Sequence, residues 1–210
     1  MKQNINKIKK LVEQIFQKKG LSLDHSKQSS NALINAELVG AYGHGLSRLK
    51  MYCDRIDKKL INPKPKIEIK KISQSISHID ANHSIGFVAA NLGIKTSINH
   101  AKKTGIGMVA VMNSGHYGLS GYYAEQAVKK NLIAMIYTNA PPAVAPHGAL
   151  KTLFGTNPIC FGCPTGSKIP FILDSSITTI NRGKIRFAAR NNKKIPKGVA
   201  LDKFGKPTID

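Results

Sequence analysis

The segment from residue 105 to residue 139 constrains the fold of this chain most strongly. Two near-continuous apolar runs, GIGMVAVMN at 105–113 and LIAMIYTN at 132–139, have the length and composition of buried strands. Between them lie a loop with three glycines and a helical stretch, YYAEQAVKKN, which Asn131 can end as a C-cap. Strands that are apolar along their whole length are typical of sheets covered by helices. The segment therefore predicts an α/β fold.

The first 63 residues follow a helical pattern instead. Apolar residues recur three and four positions apart in three runs, and glycines 20, 40 and 43 separate these runs. We predict three helices, the second capped by Asp24 and the third by Ser47. After the link INPKPK the apolar period changes to two, which predicts strands around Ile67 and Ile76. We therefore divide the chain at residue 63, into a helical lobe at 1–63 and an α/β domain at 64–210.

The net charge of +21 is large, but its distribution does not favour a nucleic-acid-binding protein. Lysines outnumber arginines 27 to 5 and are scattered, there is no tryptophan, and residues 105–175 are almost neutral. Nucleic-acid readers concentrate arginine and aromatic side chains in clusters. No apolar run is long enough to span a bilayer, and the N-terminus lacks the pattern of a signal peptide. We expect a cytoplasmic protein that binds neither nucleic acid nor membrane.

Two of the three cysteines form a CxxC pair, Cys160 and Cys163. A redox CxxC normally opens a helix, whereas Pro164 follows this pair at once. A structural zinc site needs a second pair of ligands, and the sequence has no matching CxxC or HxxxH. We interpret the pair as small residues of a buried strand and predict no metal site.

The stretch YGHGLSRL at 42–49 carries the first candidate site. His44 follows a helix that glycine has ended, and Arg48 lies one turn later at the start of the next helix. A histidine can exchange a proton near neutral pH, and an arginine can hold a carboxylate through two parallel hydrogen bonds. The pair suits a 2-oxo or 2-hydroxy acid. The same spacing also fits a surface turn with a capping interaction.

A second candidate is His116, which lies in the glycine-spaced loop after the first apolar run. Ligands collect outside the carboxyl ends of such strands, and backbone N–H groups at a helix start suit phosphate. The spacing is not GxGxxG, so the loop does not indicate a Rossmann site. A third candidate is Asp174 at the end of a short apolar strand, where the alternative is a helix cap at Ser175 or Ser176.

Five stretches occur in a fixed order along the chain: GHGLSRL, NSGHYGLSGYYAEQA, TNAPPAVAPHGA, GTNP and FILDSSITTINRGKI. Together they resemble the malate/L-lactate dehydrogenase family of NAD(P)-dependent oxidoreductases, which is unrelated in fold to the Rossmann lactate dehydrogenases. The resemblance runs through essentially the whole chain. It implies a three-layer α/β/α cofactor domain of non-Rossmann topology, with an N-terminal helical lobe on the substrate side. It also implies a homodimer with sites near the subunit interface.

The resemblance implies roles for individual residues. His44 would donate the proton in reduction, and Arg48 would hold the substrate carboxylate. His116 matches a histidine described in some members as the proton acceptor, so which histidine exchanges the proton stays open. Thr156 matches a substrate contact. The implied contacts to NAD or NADP come from His116, Tyr117, Gly118, Leu119, Ser120, Asp174, Ser175 and Ser176.

The chain departs from the family pattern in three places. Gly43 stands where many members have a serine proposed to relay the proton. The segment usually written Asp-Met-Ala-Thr is here Asp174-Ser175-Ser176-Ile177. Family members continue for well over a hundred residues past the equivalent of the last residue, so we expect a truncated chain with a partial NAD(P)-binding domain at 64–210, incomplete at its C-terminus.

The sequence thus predicts an oxidoreductase that transfers a hydride between NAD or NADP and a small-molecule 2-oxo/2-hydroxy acid, in the manner of malate or lactate dehydrogenases. The alternative is a catalytically inactive remnant, or one half of a split dehydrogenase. The sequence leaves open which acid is the substrate, and which of the two cofactors is used.

Overall fold

A computed structural model of the protein describes residues 4–180 and 182–209. The described helices are α1 (Ile5–Lys18), α2 (Leu23–Leu38), α3 (Leu49–Asp57), α4 (Gly86–Thr104), α5 (Gly121–Val128) and α6 (Arg182–Arg190). Two short 3-10 turns, Tyr42–His44 and Leu46–Arg48, connect α2 to α3. The strands are β1 (Glu68–Lys71), β2 (Ile76–Ser84), β3 (Met108–Ser114), β4 (Ala134–Tyr137), β5 (Ile159–Cys163), β6 (Phe171–Ser175), β7 (Ala200–Leu201) and β8 (Pro207–Thr208).

The three predicted N-terminal helices are confirmed, but both predicted caps are wrong. Ser22, not Asp24, caps α2, because its hydroxyl accepts the backbone N–H of His25 at 3.1 Å. Asp24 lies within the first turn, where a carboxylate still complements the helix dipole. Ser47 does not cap α3, since its hydroxyl donates to the carbonyl of Tyr42 at 2.7 Å. The side chain of Ser47 therefore stabilises the turn before the helix.

Two three-stranded sheets carry the α/β part of the chain. In the first, β2 lies between β1, which runs antiparallel to it, and β3, which runs parallel. In the second, β5 lies between β4 and β6 in an antiparallel arrangement. Helix α4 packs on β2 and β3, and α5 packs on all three strands of the second sheet. The predicted mixed α/β class is thus confirmed.

The main hydrophobic core joins the N-terminal helices to α4. Its buried residues come from α1, α2, α3 and the start of α4, so they lie on both sides of the boundary that we predicted at residue 63. The division into two domains stays a prediction. The largest of these side chains are fully buried: Phe16, Leu33, Tyr52, Ile85 and Phe87.

The strands at 108–114 and 134–137 are less buried than their composition predicts. Met108 and Met112 of β3 are more than half exposed, as are Met135 and Tyr137 of β4. Alternate strand residues point to opposite faces, and α4 and α5 cover only one face of each sheet. In the part of the chain that the structure describes, the prediction that these strands are buried is therefore wrong for the face that no helix covers. Within that part, no helix has both the length and the hydropathy to cross a bilayer.

Candidate active site

The turn between α2 and α3 presents the first two candidate residues. Gly40 adopts a positive φ of 76°, which ends α2 and turns the chain. One carboxylate oxygen of Glu37 then accepts the backbone N–H of Leu46 at 2.6 Å, so a side chain of α2 stabilises the turn. A side chain at Gly45 would collide with that carboxylate, which explains the glycine there. His44 and Arg48 project from this braced segment and are both half-buried.

The guanidinium of Arg48 is fixed at one end. Its Nε donates to the carbonyl of Gly43 at 2.7 Å, and Nη1 lies 3.8 Å from the sulfur of Met51. None of the residues described in the structure forms a hydrogen bond to Nη2. An arginine oriented by its own backbone in this way is prepared to bind an anion such as a carboxylate.

The rings of His44 and His116 stack on each other. Their centroids lie 5.7 Å apart, and the ring planes are inclined by 16°. His44 comes from the turn before α3, whereas His116 follows β3 in the glycine-spaced loop. The fold therefore brings together two candidates that are 72 positions apart in the sequence, and Arg48 lies beside them.

His116 is held by two donors on one nitrogen. Its Nδ1 lies 2.6 Å from the hydroxyl of Tyr52, and it accepts the backbone N–H of Gly118 at 3.1 Å. The residue is exposed at the surface, yet the protein packed around its imidazole removes much of the hydration of the ring. This desolvation, and then the positive charges that His44, Arg48 and Arg55 can carry, lower the pKa of His116 to about 4. His116 is consequently neutral at physiological pH.

The pKa of His44 is also lowered, for reasons that partly oppose each other. Burial disfavours its charged form, and the guanidinium of Arg48 adds to this effect. The carboxylate of Asp174 acts in the other direction and favours protonation. His44 thus has an acidic group in its surroundings that partly offsets burial, and no such carboxylate is among the groups that shift the pKa of His116.

The site is strongly cationic on the side of α6. This helix packs against the turn Tyr42–His44, and Arg186 and Arg190 on it lower the pKa of Arg48. The largest cause of that lowered pKa is burial. Three guanidinium groups therefore act on one another here, and an anion bound among them would relieve their repulsion.

The loop Tyr117–Ser120 is packed against the protein. The hydroxyls of Tyr117 and Ser120 lie 3.0 Å apart, and Ser120 is buried. Gly118 has a φ of 83°, and a β-carbon there would approach the ring of Phe87 to 2.9 Å. Leu119 is half-buried. The implied cofactor contacts of these four residues stay predictions.

Asp174 lies at the end of β6, and its Oδ2 accepts the backbone N–H of Gly121 at 2.7 Å. It therefore binds the first residue of α5 and does not precede a helix capped by Ser175 or Ser176. The hydroxyls of Ser175 and Ser176 donate to backbone carbonyls that follow them in the chain. Thr156 lies beside the segment that follows β6, because its carbonyl accepts the backbone N–H of Ile177 at 3.1 Å.

The polar side chains at the end of β6 can be compared with the chemical groups of NAD(P). The carboxylate of Asp174 and the two serine hydroxyls suit the hydroxyl and amide groups of a nicotinamide riboside. A phosphate fits poorly at the start of α5, since the N–H of Gly121 is already bonded to a carboxylate. Asp174, Ser175 and Ser176 would thus hold the nicotinamide end.

The CxxC residues belong to strand β5, where Cys160 pairs with Asp174 of β6. Cys160 is buried in β5, and Cys163 is half-buried at the end of the same strand, both as free thiols. Burial, followed by the carboxylate of Asp174, raises the pKa of Cys160 to about 12. Among the described residues, no group of three or more histidine, cysteine or acidic side chains could hold a metal ion.

The arginines of α6 were not among the predicted site residues, and neither were Tyr52 and Glu37. Tyr52 lies four positions after Arg48 and eight after His44, so helical spacing could have placed it on the same face. Glu37 lies nine positions before the residue whose N–H it accepts. No local pattern marks such a bond, because it depends on how the chain turns after α2.

Known proteins resemble this chain over most of its length. The family model described as malate/L-lactate dehydrogenase matches residues 4–210. The malate/(S)-sulfolactate dehydrogenase of Methanothermus fervidus is 39% identical over 200 residues, which are 95% of this chain and 59% of that relative. The (2R)-3-sulfolactate dehydrogenase (NADP(+)) of Chromohalobacter salexigens is 37% identical over 184 residues, 87% of this chain and 54% of that relative.

Solved structures show the same likeness. The crystal structure of malate dehydrogenase from Entamoeba histolytica superimposes with a TM-score of 0.96 at 34% identity, covering 100% of this chain and 58% of that one. This chain thus spans about three fifths of the length of the relatives it matches. The sequence likeness, the family model and the structural likeness agree over nearly all of its residues. The chain therefore belongs to the malate/L-lactate dehydrogenase family.

Proposed function

We propose that the protein is an NAD- or NADP-dependent oxidoreductase that interconverts a small 2-oxo acid and the corresponding 2-hydroxy acid. The observation that carries this proposal is the stacked pair of His44 and His116 beside the oriented guanidinium of Arg48. A proton-exchanging group next to a carboxylate-binding group is what this reaction needs from the protein. A bound nicotinamide would supply or accept the hydride.

Each residue then has a defined task. Arg48 binds the substrate carboxylate. Thr156, beside the segment that follows β6, is a further substrate contact. His44 and His116 face C2 of the substrate, and they bind the C2 oxygen or exchange the proton of that oxygen. Asp174, Ser175 and Ser176 hold the nicotinamide end of the cofactor. The loop from His116 through Tyr117 to Ser120 also contacts the cofactor.

The arginines of α6 favour a substrate with a second acidic group. Arg186 and Arg190 act electrostatically on Arg48, so the site offers more positive charge than a single carboxylate neutralises. The names of the relatives from Methanothermus fervidus and Chromohalobacter salexigens include malate or sulfolactate, each of which carries two acidic groups. We therefore propose a malate-like or sulfolactate-like acid as the substrate, in preference to lactate.

Oxidation of NADH and NADPH by the purified chain tests this function. Oxaloacetate and sulfopyruvate should be reduced with a higher kcat/KM than pyruvate, and His44→Ala should lose most of the rate. Arg186→Gln should lower the ratio of kcat/KM for oxaloacetate to kcat/KM for pyruvate. Lys130→Gln, which removes the same charge from an exposed lysine beyond α5, should leave this ratio unchanged. Activity that is unchanged by His44→Ala would remove His44 from the mechanism.

The alternative, an inactive remnant or one half of a split enzyme, predicts no turnover with any of these acids. Fluorescence titration with NADH and NADPH measures cofactor binding separately from turnover. The homodimer and the cytoplasmic location stay predictions. Sedimentation of the purified chain would test the first of them.

A further inference from the structure

The hydrogen bonds of His116 determine which of its nitrogens carries the proton. A neutral imidazole has one N–H and one nitrogen with a lone pair. A backbone N–H can only donate, so the 3.1 Å bond from Gly118 requires the lone pair to be on Nδ1 of His116. The proton of the neutral ring must therefore be on Nε2.

Tyr52 reinforces this arrangement from another element. Its hydroxyl lies 2.6 Å from the same Nδ1, and because that nitrogen has no proton, the tyrosine donates. Tyr52 is almost completely buried in α3, with its ring against Phe87. The donor is thus held in a rigid core, and it aims the imidazole that follows β3.

The charged groups around His116 oppose the addition of a second proton. His44 is stacked on the ring, and Arg48 and Arg55 reach it from the turn before α3 and from α3 itself. These groups are cationic or can become so. A proton on Nδ1 would also break the bond from the backbone N–H of Gly118, because an N–H group cannot accept a hydrogen bond.

We propose that Gly118 and Tyr52 hold neutral His116 with its proton on Nε2, so that His116 donates a hydrogen bond to the substrate's C2 oxygen while His44 alone exchanges the proton. This assignment rests on the proposed function, and it makes Tyr52 a positioning residue. It separates the roles of two histidines that the sequence treats alike.

The chemistry balances with these roles. In the oxidation direction, the O–H bond of the 2-hydroxyl breaks and its proton passes to the free lone pair of neutral His44. The electron pair of that bond forms the C=O double bond, and a bound nicotinamide would accept the hydride from C2. His116 keeps its own proton throughout, and its Nε2–H stabilises the negative charge that develops on the oxygen. Reduction is the reverse.

Ring nitrogen NMR on the full chain, labelled with 15N-histidine, tests the assignment directly. The seven histidines of the chain can be distinguished by single substitutions. We expect His116 to show an unprotonated, hydrogen-bonded Nδ1 and a protonated Nε2 at pH 7. Tyr52→Phe should shift the Nδ1 resonance toward the position of a nitrogen that has lost a donor.

Ser77→Ala is the control for this measurement. It removes another buried hydroxyl, which lies 2.8 Å from Nε2 of His100 and makes no contact with His116. The Nδ1 resonance of His116 should not move in this variant. A protonated Nδ1 in the unsubstituted chain, or equal shifts in both variants, would overturn the proposal.

Kinetics of three variants provide a second test. His116→Gln keeps a neutral N–H donor, so kcat should fall about tenfold, whereas His116→Leu removes the donor and should cost about 100-fold or more. His44→Gln cannot accept a proton, and its kcat should fall by about 100- to 10,000-fold. Equal losses for Gln and Leu at position 116 would contradict a donor role. If no acid is turned over, the proposed function fails while the NMR result still decides the protonation of His116.

Discussion

The carboxylate of Asp174 accepts the backbone N–H of Gly121 at 2.7 Å, so the end of β6 binds the first residue of α5. A β-carbon at Gly121 would approach Ile172 to 3.2 Å, which shows how closely the helix start lies on the strand. The same carboxylate favours the protonated form of His44. One side chain therefore connects the packing of α5 to the electrostatics of the site.

Replacement of Asp174 should cost stability as the loss of a helix cap does. We expect Asp174→Ala to lower the free energy of unfolding by about 1 kcal/mol. Asp174→Asn should cost less, since its amide oxygen still accepts the N–H. Urea denaturation measures both values. Ser175→Ala is the control, because that exposed hydroxyl bonds only to the next carbonyl among the described residues, and a loss as large as that of Asp174→Ala would contradict the capping role.

Two glycines of the active-site turn should respond differently to alanine. A β-carbon at Gly45 meets the carboxylate of Glu37, whereas one at Gly43 meets nothing within 4 Å. Gly45→Ala should therefore lower the free energy of unfolding by roughly 1–3 kcal/mol, as overpacking does, and disturb the bond from Leu46. Gly43→Ala should unfold at the same urea concentration as the unsubstituted chain. Similar losses in the two variants would show that Glu37 does not brace the turn.

Arg48→Lys should weaken the binding of the substrate while the site keeps its charge. Lysine cannot form the bond from Nε to Gly43 and bind a carboxylate through a planar fork at the same time. We expect KM to rise about tenfold or more, the equivalent of one lost charge-assisted hydrogen bond. Lys58→Arg, a charge-conserving change at an exposed position just after α3, is the control and should leave KM within about twofold. A change in kcat alone would assign Arg48 a different role.

The pKa of His44 should shift in opposite directions in two variants. Arg48 lowers this pKa, so Arg48→Gln should raise it, and Asp174 raises it, so Asp174→Asn should lower it further. Titration of the ring by NMR checks both shifts. In the oxidation direction His44 must be neutral, so kcat/KM should be constant well above its ordinary pKa of 6.5 and fall as the pH drops through the lowered pKa. Shifts of the same sign would contradict the arrangement.

His116 should make the folded protein sensitive to acid. Its pKa is lowered to about 4 in the folded state from an ordinary 6.5, so between these values the unfolded chain binds a proton that the native chain does not. The stabilising contribution of the neutral ring is present above pH 6.5 and is lost as the pH falls toward 4. His116→Gln should reduce the slope of the urea midpoint against pH over this range. His147→Gln, at an exposed loop position, should leave its slope unchanged.

Much of the fold and of the site follows from local sequence patterns. Apolar spacing predicts α1, α2, α3 and the strands β1 to β4, and glycine marks the ends of helices because few other residues adopt a positive φ. The candidates His44, His116 and Asp174 are predictable because each lies at the end of an apolar element, and Arg48 because it follows His44 by four positions. What composition did not predict is the exposure of Met108 and Met135, since burial depends on which helices lie over a strand.

The sequence by itself determined the secondary-structure elements, the family and the residue types available for proton exchange and anion binding, because these depend on short-range spacing and on the chemistry of single side chains. Only the tertiary structure decided which of those residues meet. The stack of His44 on His116, and the donation of Tyr52 to His116 across 64 positions, arise where the turn before α3 packs against the loop after β3. Roles that depend on such contacts, above all the different protonation of two histidines, cannot be derived from either segment alone.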